Sequence, residues 1–254
     1  MIACAFAVLA VGAVPSAAAD PAGGPVTVGA TLNGAPTAGH TVVIDPAHAV
    51  ELAVTVGNGT NSVIHVHNVR LVGTALALTF FDYDTTVLFD VPAHGQSSRT
   101  LTLDLSDLDG QAVGLLPASV EVLDPGKAVL ASANTVTDIR GSLTSVYGVF
   151  GIAMLVLTIL AWATALIAMA RRTLPANRWR RALRFLPAGF GTGVVAVITL
   201  SVLRMVAPAP AVELPVIVCT AVIGLVLGYL TPQPVPVDPE MTTTIDFSTE
   251  RIAG

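Results

Sequence analysis

Residues 141–184 read GSLTSVYGVFGIAMLVLTILAWATALIAMARRTLPANRWRRALR, and the first thirty of them carry no charged side chain. About 20 apolar residues in a helix already cross the roughly 30 Å hydrocarbon core of a bilayer. A helix buried in a soluble core is the plainer alternative, but such helices seldom exceed about 25 residues and usually keep a polar stripe. The stretch therefore predicts a transmembrane helix over 141–170. Directly behind it, Arg171, Arg172, Arg178, Arg180, Arg181 and Arg184 gather half of the chain's twelve basic residues. Loops rich in Lys and Arg stay on the cytoplasmic side. Residues 171–184 are accordingly predicted to be an arginine-rich cytoplasmic loop, which orients everything around them.

Working outward toward the C-terminus, residues 185–203 are again uncharged and predict a second span. Pro187 sits near its start, where a missing amide proton costs least, and Gly189, Gly191 and Gly193 let a neighbour approach. Residues 204–213 form a short outer loop, and 214–230 a third span at the lower limit of length. Within it Gly224 and Gly228 make a Gly-x-x-x-Gly pair, a helix-packing signal. Packing inside the three-helix bundle and contact with another membrane protein explain it equally. The tail, 231–254, opens with Pro232, Pro234 and Pro236 and then turns polar and acidic. Such a segment buries too little apolar surface to order itself, so a disordered cytoplasmic extension is predicted. Its hydroxyls at Thr242, Thr243, Thr244, Ser248 and Thr249 suit it to a regulated cytoplasmic contact.

Toward the N-terminus, residues 1–19 read as a signal peptide, with Ala17-Ala18-Ala19 before Asp20 as the small-residue cleavage site. No Lys or Arg precedes the apolar run. Either the start lies further upstream or the segment stays as a weak anchor, and both place the next domain outside the cytoplasm. From 20 to 138 the pattern becomes one of short alternating runs, such as Val50, Leu52, Val54 and Val56, or Leu101, Leu103 and Leu105. Alternation of this kind marks half-buried strands. Turn chemistry recurs at Asn33-Gly34, Asn58-Gly59, Asp109-Gly110 and Pro125-Gly126. Seven to nine strands in this space predict an immunoglobulin-like sandwich. Hydrophobic parity slips between Ile64 and Val69, which predicts a bulge near Asn68. The fold class is thus a membrane protein, an extracytoplasmic all-β sandwich followed by three transmembrane α-helices.

Composition agrees and excludes several function classes. At 53% hydrophobic and 11% charged residues, the chain is too apolar for an ordinary soluble domain. Its net charge of −5 and the confinement of its basic cluster to one loop argue against nucleic acid as a partner. Cys4 and Cys219 both lie in apolar segments, so no disulfide holds the outer domain. Arg far outnumbers Lys, and Ala and Val abound, which points to a GC-rich genome of actinobacterial kind.

The search for chemistry yields little. His65 and His67 share one strand face, and Asp82 and Asp84 repeat the spacing, so the four are candidate metal ligands. A polar strand face explains them more simply. Asp104, Asp107 and Asp109 before Gly110 lack the further ligands of a calcium loop and read better as a hairpin turn. No nucleophile elbow, phosphate loop or metalloprotease motif is present. The spans as delimited above hold no Asp, Glu, Lys or His, which transport sites and proton relays require. The expectation is a protein that is not an enzyme and needs no cofactor.

This order of segments resembles small actinobacterial accessory membrane proteins, such as the accessory subunit of the mycobacterial Mce lipid importer. The likeness covers architecture alone and carries over no site residue. It implies a non-catalytic accessory or scaffolding subunit of a cell-envelope complex in the inner membrane, working through protein–protein interaction with other integral membrane proteins and with membrane lipid. A sensor relaying outer-domain binding to the tail is the alternative. A metal-dependent envelope enzyme is a third reading, resting wholly on the histidine and aspartate pairs.

Overall fold

A computed structural model describes residues 24–232; the predicted signal peptide and almost all of the predicted tail lie outside them. The alternating runs fold into nine strands: β1 (Val26–Leu32), β2 (Ala35–Pro36), β3 (Thr41–Ile44), β4 (Val50–Asn58), β5 (Ile64–Ala75), β6 (Leu78–Val91), β7 (Gln96–Leu103), β8 (Gly114–Leu123) and β9 (Val129–Ile139). They form two sheets, ordered β2-β1-β4-β7 and β3-β9-β8-β5-β6. All pairings are antiparallel except β3 with β9. Val50, Leu52, Val54 and Val56 turn inward from one sheet, and Leu116, Val120 and Val122 from the other. Strand alternation thus supplies both faces of a closed sandwich core.

The register of β5 against β6 shifts between Val66 and Asn68, where the parity of the sequence slips. Asn33-Gly34 makes the two-residue turn from β1 to β2, with φ of 51° and 78°. Asp109-Gly110 departs from the hairpin expectation. It ends a short 3-10 turn, Ser106–Gly110, that carries the chain from one sheet to the other. Asp104 accepts the Ser106 N–H there.

Three helices follow, α1 (Val146–Ala170), α2 (Arg178–Val202) and α3 (Pro210–Leu230), each long and apolar enough to cross a membrane. Their bounds differ from the sequence expectation at three places. Ser145 caps α1 by accepting the Gly148 N–H, so the helix starts five residues inside the uncharged run. Asn177 accepts the Trp179 N–H and starts α2 within the arginine cluster, which shortens the α1–α2 connection to 171–177. Pro210 stands at the first turn of α3 with Glu213 behind it. A proline at N1 and an acid in the first turn favour a helix start, so the outer loop ends earlier than charge alone suggested.

Helix α2 is central, with half of its apolar window buried against 17% for α1 and α3. Both outer helices pack on α2 and hardly on each other. The α2–α3 contact is built from backbone. A Cβ on Gly189 would stand 2.4 Å from the Thr220 carbonyl oxygen, and one on Gly224 2.8 Å from that of Phe185. Glycine is required at such spacings, which let two helices approach closely in lipid.

Candidate functional site

The sandwich rests on one end of the helix bundle, and a single apolar core crosses the junction. Tyr147 at the start of α1 and Val194 and Ile198 of α2 belong to the same buried cluster as Val54, Leu116 and Val120 of the sandwich. Gly114 opens β8 at φ +87°, and a Cβ there would lie 2.5 Å from the Ser201 carbonyl oxygen. Only glycine satisfies both demands. Beside it the Ser201 hydroxyl donates to the Leu115 carbonyl at 2.6 Å. The Arg204 guanidinium donates to Asp138 at 2.6 Å, and the Tyr147 N–H to the Gln111 carbonyl at 3.1 Å.

The fourth tie is the most unusual. The β5–β6 hairpin turns through Leu76 and Ala77, at φ of 52° and 59°. Two-residue hairpins of this kind prefer Asn-Gly or Asp-Gly, because side chains such as these resist positive φ. Here Glu213 of α3 accepts the Leu76 N–H at 2.8 Å. Glu213 as a residue is only 6% exposed, and its other oxygen, Oε2, is accessible and meets no donor among the described residues. Phe80, just past the turn, packs edge-on against Tyr147 at 4.7 Å and lies 6.0 Å from Phe150. The Tyr147 hydroxyl lies near Ser201 and Glu213 without a hydrogen bond of good geometry.

Below the hairpin tip is a cleft of about 580 Å³. Its roof is 74–78 with Pro117, its walls are Phe150 and Met154 of α1 and Leu214 and Ile217 of α3, and its floor is Phe190 and Val194 of α2. Glu213 is the acidic member of an otherwise largely apolar lining.

The residues singled out in the sequence sit elsewhere. His65 Nδ1 lies 2.6 Å from Asp90 Oδ1 on the exposed sheet face. His67 bonds to Asn68, whose amide donates to Asp84 at 2.6 Å. Asp82 instead lies 4.0 Å from Arg70, which also binds Glu121. That glutamate holds the Arg70 guanidinium above its ordinary pKa. His67 and Asp84 are thus bridged by Asn68, while His65 and Asp82 turn to other partners, and no three His, Cys, Asp or Glu among the described residues form a metal-holding group.

Gly224 and Gly228 both face α2, the latter within 2.9 Å of Ala182 and the Arg181 carbonyl for an added Cβ. Five of the six arginines, Arg171, Arg172, Arg178, Arg180 and Arg184, are exposed. Arg181 is buried and donates to the carbonyls of Gly228 and Pro175. Its cation meets the C-terminal end of α3, where helix dipoles favour positive charge. Sequence reasoning missed Glu213 by assigning it to the loop, although the Pro210-to-Glu213 spacing is a helix-start signal. For Leu76-Ala77 the sequence carries no turn signal at all.

No family model matches the chain, and no curated protein matches it. Among solved structures, a Niemann-Pick type C2 protein from the Japanese carpenter ant is 8% identical at a TM-score of 0.34, over 44% of this chain and 93% of that one. A CARDB domain from Pyrococcus furiosus is 12% identical at 0.29, over 46% and 94%. Likenesses this slight assign neither a family nor an activity.

Proposed function

We propose that the protein is a non-catalytic accessory or scaffolding subunit of a cell-envelope membrane complex, holding a β-sandwich at fixed attitude on the outer face of the inner membrane. The observation that carries this reading is the shared core at the junction, pinned by Ser201 to Leu115, Arg204 to Asp138 and Glu213 to Leu76. A domain fixed this way presents its surface to a neighbour without swivelling. The five exposed arginines beside the inner ends of α1 and α2 support the sandwich-outside, tail-inside orientation. The strand order, with β3 broken from β1 to run parallel to β9, supports reading the sandwich as immunoglobulin-like. The glycine pair is engaged with α2, so the partner-binding membrane surfaces in this reading are the largely uncovered faces of α1 and α3. Purification of the full chain from native membranes in mild detergent tests the proposal. A reproducible integral membrane partner is expected, and recovery of the chain alone at normal abundance would contradict it.

A further inference from the structure

The cleft beneath the hairpin tip has the dimensions and chemistry of a binding site for one membrane lipid. Phe190 at its floor lies about 18 Å, at the α-helical rise, from the end of α2 at Val202 beside the sandwich. Half of a bilayer core is about 15 Å, so the floor of the cleft lies about one leaflet from that helix end. A partner's transmembrane helix would run on through the second leaflet, whereas an acyl chain ends where this cleft ends. The volume of about 580 Å³ falls among pockets that enclose small molecules, roughly 300–1,000 Å³. Because α1 and α3 pack on α2 and hardly on each other, the cleft is open between them to the surrounding membrane.

Its upper end differs from its walls. There Glu213 keeps Oε1 on the Leu76 N–H, and Oε2, without a donor among the described residues, stays open to the cleft. The backbone it holds, Leu76 and Ala77, is strained at positive φ, and such strain clusters at ligand clamps.

We propose that this cleft binds a phospholipid of the outer leaflet, with an acyl chain between α1 and α3 and a head group whose N–H or O–H donor meets Glu213 Oε2. The leaflet rests on the orientation proposed above, but the binding is independent of the accessory role, since the purified chain alone would bind the lipid, whereas partner recovery tests the other reading.

The test is native mass spectrometry of the full chain in detergent, titrated with dioleoyl phosphatidylethanolamine or with dioleoyl phosphatidylcholine, which lacks the donor. One phosphatidylethanolamine per chain is expected, held about ten-fold more tightly than phosphatidylcholine, as one hydrogen bond to a charged group implies. Glu213→Gln keeps an acceptor for Leu76 but turns an amide donor toward the cleft, and it should abolish that preference. Ile217→Trp fills the cleft and should lower binding of both lipids about ten-fold, while Leu157→Trp on the exposed face of α1 should leave it unchanged. Equal binding of the two lipids by the unaltered chain, or undiminished binding by Ile217→Trp, overturns the proposal. A second measurement needs no variant of the cleft. Phosphatidylethanolamine with a photoreactive acyl chain should label Phe150, Met154 or Ile217, and labelling confined to the outward face of α1 overturns the assignment. So does a photoreactive residue at Met154 that cross-links a polypeptide in native membranes, which would make the cleft a helix-docking site.

Discussion

At the scale of single residues, the junction depends on groups whose roles are set by their neighbours. The Leu76-Ala77 turn places two side chains where the left-handed region costs roughly 1–2 kcal/mol each. Ala77→Gly should therefore stabilise the full chain by about 1 kcal/mol, allowing for glycine's greater freedom when unfolded. Thermal unfolding in detergent reads this as a raised midpoint, and a lowered one would show that the turn is not strained. Ser201→Ala works in the opposite direction. It leaves the Leu115 carbonyl without its donor and should cost about 1–2 kcal/mol, whereas an unchanged midpoint would mean that water replaces the bond. These two positions also mark the limit of sequence reading. Asn33-Gly34 announces its turn because its residue types favour positive φ. Leu76-Ala77 adopts the same geometry where α3 supplies Glu213, which lies far along the chain, and no local signal encodes that.

Among elements, strands and spans were legible because their periodicities are strong, as in β4 and in the uncharged run of α1. Helix ends were less so. The charge boundary that suggested loops at 171–184 and 204–213 was outweighed by the Asn177 cap and by Pro210 at a first turn. The partner face of the glycine pair was open in the sequence, since Gly-x-x-x-Gly is silent about which helix it meets. In the structure α2 answers it with Gly189 and Ala182. Gly224→Leu should drive side-chain atoms into the α2 backbone and cost about 1–3 kcal/mol by overpacking. Reduced abundance and a lower melting midpoint are expected. Normal abundance with selective loss of a co-purifying partner would instead place the pair at an external contact.

For the whole molecule, the proposed topology and the coupling of its two parts are separable. Ala176→Cys lies in the exposed α1–α2 connection and leaves the Asn177 cap intact. It should resist an impermeant thiol reagent in intact cells and react after permeabilisation. Labelling of intact cells would reverse the orientation. Of the four metal candidates, His67 and Asp84 are bridged by Asn68, whereas His65 meets Asp90 and Asp82 faces Arg70, partners that no local spacing announces. The junction itself was invisible in the sequence, because a contact between Gly114 and Ser201 requires both folds to exist first. Rigid coupling of sandwich and bundle is tested most directly by a distance measurement across it. Spin labels at Thr102→Cys in β7 and Arg180→Cys in α2, both exposed, in a full chain freed of Cys4 and Cys219, should give one narrow distance distribution in lipid nanodiscs by pulsed electron resonance. A broad or multiple distribution would show a sandwich that swivels on its helices, contrary to a shared core.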